Sequence, residues 1–111
     1  MRLPNGDKAV VDPRKLTDYC LSPTHPVGKH KAQLFADATG ITLADWELLH
    51  AALLRAAAEV ENAVATDRTP FGQKYQIEVP LTGPGGRSAV VLSVWIVGDD
   101  GIPRLVTCYP L

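Results

Sequence analysis

The sequence predicts an α+β fold in which N-terminal helices, including one long helix, pack on a three- to four-stranded antiparallel sheet. Helical spacing of apolar residues occupies residues 13–64, whereas alternating or continuous apolar segments typical of strands occupy residues 74–109. Turn segments rich in Gly and Pro separate the strand candidates, so sequential strands should pair as an antiparallel meander. Helices followed by strands is the order typical of α+β proteins.

The size and charge of the chain limit its function. Its 111 residues should form a single domain, residues 1–111, and 46% hydrophobic residues can supply a core without a metal or a disulfide. A formal net charge of −1 argues against nucleic-acid binding through overall charge, so any polyanion must contact a local patch.

The sequence shows no signal for export and no segment for membrane insertion. The first residues lack an apolar signal segment, and the longest apolar run, residues 89–97, is too short to cross a bilayer. We therefore expect a cytoplasmic protein whose two cysteines are reduced. A module cut from a larger exported protein is the alternative.

The first two helices have defined start and stop signals. Asp12 is a predicted N-cap, and Pro13 suits the first helical position because its missing N–H loses no hydrogen bond there. Pro23 ends this helix, since a proline disfavours helical geometry in the preceding residue. The second helix should start at residue 27 or 28, run to residue 39, and end at Gly40 as a left-handed cap.

The third helix has the clearest start signal. Thr42 and Asp45 have the spacing of a capping box, with Asp in place of the usual Glu. Apolar residues from Trp46 to Val64 continue the helical period for about six turns. Residues 66–70 end this helix, which should lie across the sheet.

The strand candidates are residues 8–11, 74–81, 88–97 and 102–109. Residues 88–97 are apolar on both faces, as expected for a central strand. In the last strand, strict alternation places Leu105, Thr107 and Tyr109 on one face and Cys108 on the other. Thr107 and Tyr109 should therefore present hydroxyl groups on the same surface.

Candidate chemistry is concentrated in residues 22–31, which contain two histidines and two lysines. RNA cleavage needs a base, an acid and cations or hydrogen-bond donors on the phosphate. Histidine suits proton transfer because its ordinary pKa lies near neutrality, and a helix N-terminus favours bound anions. The predicted catalytic residues are His25, His30, Lys29, Thr107 and Tyr109, and the predicted substrate-binding residues are Lys31 and Arg104.

A plainer interpretation of the same segment stays open. His25 could cap a proline-rich turn, and residues 29–31 could be a solvated helix start. The functional interpretation is favoured by one observation: cations at a helix N-terminus are electrostatically unfavourable, and residues that break such a rule are often functional.

Because Cys20, His25 and His30 match no common zinc spacing, we expect no metal and no cofactor.

Three segments resemble a small bacterial domain family of unknown function. They are Leu-Pro-Asn-Gly-Asp-Lys-Ala-Val-Val-Asp at 3–12, His-Pro-Val-Gly-Lys-His-Lys-Ala at 25–32, and Pro-Arg-Leu-Val-Thr-Cys-Tyr-Pro at 103–110. The resemblance covers nearly the whole chain. It implies a short standalone protein or a C-terminal module of a larger toxin-like or phage-associated protein.

The layout is also distantly similar to barnase–EndoU–colicin–RelE-like nucleases. This similarity implies an active site on the sheet, with histidine and lysine or arginine near a hydroxyl on the last strand. By this similarity the residues to test are His25, Lys29, His30, Arg104, Thr107 and Tyr109. The chain is not basic, unlike the ribosome-dependent members, so a small structured RNA such as tRNA is the expected substrate.

Two functions therefore stay open. One is a metal-independent ribonuclease-like toxin, held by a cognate inhibitor. The other is a non-catalytic protein-interaction module of immunity type, or a phage accessory protein. An exposed strand edge or apolar patch would favour the interaction module.

Overall fold

The computed structural model describes residues 1–111 and confirms the α+β fold. The helical segments are α1 (Pro13–Lys15), which continues as a π-helical turn (Leu16–Cys20), α2 (Gly28–Thr39), and α3 (Trp46–Glu59), which follows a 3₁₀ turn (Leu43–Asp45). The strands are β1 (Val64–Thr69), β2 (Gly72–Thr82), β3 (Ser88–Val97) and β4 (Pro103–Pro110). None of the helices has the length and apolar character that crossing a membrane requires.

The strands form one four-stranded antiparallel sheet in the order β1-β2-β3-β4, which confirms the predicted meander. β3 has the bounds that the sequence predicts, and it lies between β2 and β4. The pairing of β1 with β2 starts at Val64 opposite Gln76 and does not reach Pro80. Pro80 therefore lies where β2 has no partner on its outer side, as expected for a residue without an N–H.

The third helix is shorter than predicted. The capping box at Thr42 and Asp45 is present, and the Thr42 N–H donates to Asp45 Oδ2 at 3.0 Å. The helix ends at Glu59, and Val60 adopts extended geometry with ψ of 137°. The prediction that Val64 continues the helix is wrong, because its backbone joins the β1–β2 ladder.

Residues 8–11 do not form the predicted strand. Gly6–Lys8 is a 3₁₀ turn, and Val10 makes one isolated parallel bridge to Arg104. The Val10 N–H donates to the Pro103 carbonyl at 2.9 Å, and the Leu105 N–H donates to the Val10 carbonyl at 3.1 Å. The segment covers one end of the β4 edge and then enters α1.

The core lies between the helices and one face of the sheet. Fully buried side chains come from both layers, namely Leu16, Phe35, Ile41, Leu49, Leu53, Ile77, Val91 and Trp95. Trp95 Nε1 donates to Ser93 Oγ at 2.9 Å, and Ser93 Oγ donates to the Ile77 carbonyl at 3.0 Å. The buried polar atoms of this layer are thus paired, which removes the cost of burying them.

A β-bulge changes which side chains of β4 are buried. The pairing shifts between Val94 and Trp95, so Leu105 pairs with Trp95 and Cys108 pairs with Ser93. Both Leu105 and Cys108 lie in the core, and the prediction that they occupy opposite faces is wrong because the extra residue of the bulge reverses the alternation. Thr107 and Tyr109 follow the bulge and keep a common face.

Helix α2 is fixed at both ends. At its N-terminus, Gly28 approaches the Tyr19 carbonyl so closely that a Cβ at this position would overlap it. At its C-terminus, Gly40 has a φ of 75°, which confirms the predicted left-handed cap. Arg87, from the β2–β3 turn, donates to the Ala36 and Asp37 carbonyls at 3.1 and 3.0 Å. The lysines of α2 are therefore carried on a well-anchored helix.

Candidate functional site

Lys31 lies at the centre of a cluster of polar side chains where α1, α2 and β4 meet. Its Nζ donates to the Tyr19 hydroxyl at 2.9 Å. The same Nζ lies 4.9 Å from the centroid of the Tyr19 ring and 5.9 Å from that of the Tyr109 ring. Both distances suit a cation–π interaction. We use the name Lys31 cluster for Tyr19, Cys20, His25, Lys31, Thr107 and Tyr109.

Tyr19 reaches this position through the π-helical turn. The Leu21 N–H donates to the Leu16 carbonyl at 2.8 Å, which spans five residues instead of the four of an α-helix. Such turns re-aim the side chains around the extra residue and are frequent at functional sites. The close approach of Gly28 to the Tyr19 carbonyl then brings α2 next to this turn.

The charge of Lys31 is stabilised by its neighbours. The hydrogen bond with the Tyr19 hydroxyl raises the pKa of Lys31, and partial burial opposes this effect without reversing it. Lys31 is therefore an ammonium ion at neutral pH, although it is half-buried. A partly desolvated cation attracts an anion more strongly than a fully hydrated one does.

His25 caps the start of α2 and packs against Tyr19. Its Nδ1 accepts hydrogen bonds from the backbone N–H groups of Val27 at 3.0 Å and Gly28 at 2.9 Å. Its ring meets the Tyr19 ring edge-on, with centroids 4.9 Å apart. Because Nδ1 is an acceptor, the ring proton resides on Nε2. In this arrangement His25 can donate a hydrogen bond but cannot accept a proton at Nε2.

Thr107 connects β4 to the cluster through Cys20. The Thr107 Oγ1 lies 3.9 Å from the Cys20 Sγ. Hydrogen bonding from Cys108 is the main cause that lowers the pKa of Cys20 to about 7, and burial opposes it. Thr107 and the charge of Lys31 lower it further. The Cys20 hydrogen bond and burial raise the pKa of Cys108 well above its ordinary value.

Lys29 and His30 lie outside the Lys31 cluster. Both are exposed and line a groove of about 510 Å³ between α2 and the 3₁₀ turn that precedes α3. We use the name Lys29 groove for this feature, whose lining also includes Leu21, Pro23, Ala32, Gln33, Ala36, Thr42, Leu43 and Ala44. At 3.6 residues per turn, Lys29 and Lys31 lie ~200° apart around the helix, and His30 lies between them.

Arg104 is paired within its own turn. Its guanidinium lies 2.8 Å from the Asp100 carboxylate, and the hydrogen bond between them raises the pKa of Arg104 and lowers that of Asp100. Arg104 is opposite Ile96 in the sheet, on the far side of the bulge from Thr107. The charge of Arg104 is thus already balanced by a carboxylate, which weakens its attraction for a phosphate.

Cys20, His25 and His30 do not form a metal site. The Nδ1 of His25 accepts two backbone hydrogen bonds, the Cys20 side chain is buried, and His30 lies over the groove. No group of three His, Cys, Asp or Glu side chains in the chain is arranged to hold a metal ion.

Sequence reasoning missed two members of the Lys31 cluster. The predicted site residues include neither Tyr19 nor Cys20. The signal that identifies them is spatial, because Tyr19 contacts His25 and Lys31 while Cys20 contacts Thr107. Four predicted residues are thus brought together around Tyr19 and Cys20, namely His25, Lys31, Thr107 and Tyr109.

Comparison with known proteins gives a fold and a family. No curated protein matches the chain. A chain of the contact-dependent growth inhibition toxin–immunity protein complex from Klebsiella pneumoniae 342 is similar in structure, with a TM-score of 0.72 and 22% sequence identity. The similarity covers 93% of this chain and 100% of that chain. A family model matches residues 2–111, and the chain therefore belongs to the family described as Domain of unknown function (DUF6883).

Proposed function

We propose that this chain is a metal-independent, ribonuclease-like domain of toxin type that cleaves RNA phosphodiesters at the Lys31 cluster. The observation that carries the proposal is the half-buried Lys31 ammonium, held by the Tyr19 hydroxyl at 2.9 Å and flanked by the Tyr109 ring. A fixed cation beside a hydroxyl group that can itself donate a hydrogen bond is suited to stabilise an RNA phosphate in its transition state.

Lys31 and Tyr19 act on the phosphate. When the 2′-oxygen attacks phosphorus, negative charge grows on the non-bridging oxygens, and the Lys31 ammonium stabilises it. Tyr19 already accepts a hydrogen bond from Lys31, so its own O–H is free to donate to a phosphate oxygen. Tyr109 and Thr107 present further hydroxyls that orient the substrate on the same side of β4.

The histidines have different roles in this proposal. His25 donates its Nε2–H to the substrate, and it transfers a proton only if the ring releases the Val27 and Gly28 amides. His30 is exposed on the side of α2 between Lys29 and Lys31, and its imidazole can take the 2′-hydroxyl proton. Lys29 supplies a second, solvated cation for the RNA backbone.

The similarity in fold supports either a toxin-type or an immunity-type function, and both involve binding to a partner protein. The similar chain comes from a toxin–immunity protein complex, and the whole of that chain matches this one. We propose that a cognate inhibitor binds this domain and that the substrate is a small structured RNA such as tRNA. The net charge of −1 favours a compact RNA over a ribosome-bound message.

Purified protein incubated with total RNA in EDTA tests the proposal. The wild type should cleave a discrete RNA species, and Lys31→Ala, His25→Ala and His30→Ala should each cleave it more slowly. Gln33→Ala, in the Lys29 groove, is the matched control on the same helix and should cleave at the wild-type rate. Absence of cleavage by the wild type, or equal cleavage by all variants, contradicts the proposal.

The second candidate is a non-catalytic interaction module of immunity type. It is favoured by the open outer edge of β1, whose residues are almost all exposed, and by Phe71 at the tip of the β1–β2 hairpin, which is 82% exposed. An inactive wild type whose binding to a toxin-type nuclease is lost in Phe71→Ser would establish this function instead. Binding that survives Phe71→Ser would remove the hairpin tip as its basis.

A further inference from the structure

The two cysteines connect the two chain segments that form the Lys31 cluster. Cys20 directly follows Tyr19, and Cys108 lies between Thr107 and Tyr109. Both thiols are free and their residues are fully buried, one on the π-helical turn and the other on β4. The Cys20 Sγ lies 3.9 Å from the hydroxyl of Thr107, the residue before Cys108, and both cysteines belong to the same buried cluster, so the two thiols occupy neighbouring positions.

The surroundings of Cys20 favour a thiolate. The Thr107 hydroxyl lies 3.9 Å from its Sγ, the Cys108 thiol and backbone contribute hydrogen bonds, and the Lys31 charge acts on it. A thiolate is the reactive form of cysteine in oxidation and in disulfide exchange. Cys108, the residue that follows Thr107 on β4, supplies the second thiol that a disulfide needs.

We propose that Cys20 and Cys108 are a modification site, at which a hydroperoxide oxidant forms a reversible disulfide that links the π-helical turn to β4. The bond joins segments from opposite ends of the chain and fixes Tyr19 relative to Tyr109. Formation of the disulfide does not depend on the RNA-cleaving function.

The chemistry balances with hydrogen peroxide as the oxidant. The Cys20 thiolate attacks one peroxide oxygen, the O–O bond breaks, and hydroxide leaves and takes up a solvent proton, which gives a sulfenic acid. The Cys108 sulfur then attacks the Cys20 sulfur, the S–O bond breaks, and the hydroxyl leaves as water with the Cys108 proton. The two thiols lose two electrons in total, and the peroxide is reduced to water. Because both sulfurs are buried, the oxidant enters during local opening of the short first helix.

Oxidation of Cys20 should also change the electrostatic field at the Lys31 ammonium. In the reduced protein the Cys20 pKa of about 7 makes part of the thiol a thiolate, whose charge acts on this ammonium, whereas the disulfide carries no charge. Lys31 should then attract an external anion more strongly. We expect inorganic phosphate to bind the oxidised protein several-fold more tightly than the reduced protein.

Intact full-length protein treated with hydrogen peroxide tests the proposal. Wild type should lose about 2 Da, the two thiol hydrogens, and peptide mapping should find Cys20 linked to Cys108. Its Tm should rise by about 10 °C or more, since the bond closes a long loop, and dithiothreitol should reverse the change. Cys20→Ser and Cys108→Ser should show neither the link nor the rise in Tm.

Several results would overturn the proposal. One is that both thiols stay reduced at a peroxide concentration that oxidises free glutathione. Another is that the only oxidation products are sulfinic acid or intermolecular dimers. A link that forms only in denaturant would show that the folded state does not bring the sulfurs together. These measurements do not involve RNA. The disulfide proposal can therefore be contradicted while cleavage is observed, and cleavage can be absent while the disulfide forms.

Discussion

Two sides of helix α2 carry lysines only two residues apart in sequence, yet their surroundings differ. Lys31 is half-buried and donates to Tyr19, with Tyr109 nearby. Lys29 is exposed over a groove lined mostly by small and apolar side chains. The helical turn thus places Lys29 and Lys31 on different sides of α2. Of the two, only Lys31 contacts side chains from distant segments of the chain.

The two sides of α2 also differ in chemistry. The Lys29 groove offers an exposed lysine that takes part in none of the ion pairs of the structure. The Lys31 cluster offers a cation whose position and protonation are set by neighbours, which is the property that transition-state stabilisation requires.

Lys31→Ala should have the largest effect on activity. Loss of the ammonium that stabilises the phosphate should lower the cleavage rate by about 100-fold or more. Lys29→Ala is the matched control and should lower it by less than ~5-fold, because a solvated cation contributes mainly through long-range attraction. Rates are measured on the RNA species cleaved by wild type. Equal losses in the two variants would remove the distinction between the two sides of α2.

Tyr109→Phe should have the next largest effect. It keeps the aromatic face toward Lys31 and removes only the hydroxyl, so cleavage should slow by about 10-fold while Tm stays within a few degrees. Tyr75→Phe, on the helix-facing side of β2, controls for loss of a tyrosine hydroxyl outside the cluster. A Tyr109→Phe protein with the wild-type rate would exclude an orienting role for this hydroxyl.

Two substitutions separate the two roles of His25, which are capping of α2 and contact with the substrate. His25→Ala removes both and should cost about 1 kcal/mol of unfolding free energy, as loss of an N-terminal cap does. His25→Asn can still accept from the Val27 and Gly28 amides but has no Nε2, so it should unfold like wild type and cleave several-fold more slowly. Wild-type cleavage by His25→Asn would show that capping is its whole function.

The last prediction concerns the pH dependence of stability and does not involve cleavage. The Cys20 pKa is lowered from 9.0 to about 7, so the folded state releases this proton before the unfolded chain does. The free energy of unfolding should therefore rise from about pH 7 to about pH 9, and this gain is lost as the pH falls through about 7. The raised pKa of Cys108 has the opposite effect, above its ordinary value of 9.0. Urea unfolding under reducing conditions measures the slope.

Cys20→Ser is the control for this slope. Serine keeps a small hydrogen-bonding side chain but does not ionise in this range, so the rise between about pH 7 and about pH 9 should be absent. An identical rise in wild type and Cys20→Ser would assign the effect to another group. A fall in stability over this range in wild type would contradict the stabilised thiolate.

Local signals explain which parts of the fold the sequence predicts. Asp12 accepts from the Arg14 N–H, the capping box at Thr42 forms, and Gly40 ends α2, as short-range patterns indicate. The errors depend on long-range contacts. Val64 follows a helical period but joins β2, and the bulge in β4 moves Cys108 into the core beside Leu105.

The sequence predicts which residues contribute to the candidate site better than it predicts how their side chains are arranged. His25, Lys31, Thr107 and Tyr109 were identified from residue type and segment, and the structure groups them around Tyr19 and Cys20. Sequence alone could not show that the Tyr19 hydroxyl holds Lys31. That contact depends on the π-helical turn and on how α1 packs against α2.

The central claim is that the RNA phosphate that is cleaved binds at the Lys31 cluster and not at the far wall of the Lys29 groove, which Thr42 and Leu43 form. Backbone amide shifts measured by NMR, during titration with a short 2′-O-methylated RNA that cannot be cleaved, test it most directly. We expect shifts concentrated at Tyr19, Thr107 and Tyr109. Shifts concentrated at Thr42 and Leu43 in the groove, with the cluster unchanged, would contradict the claim.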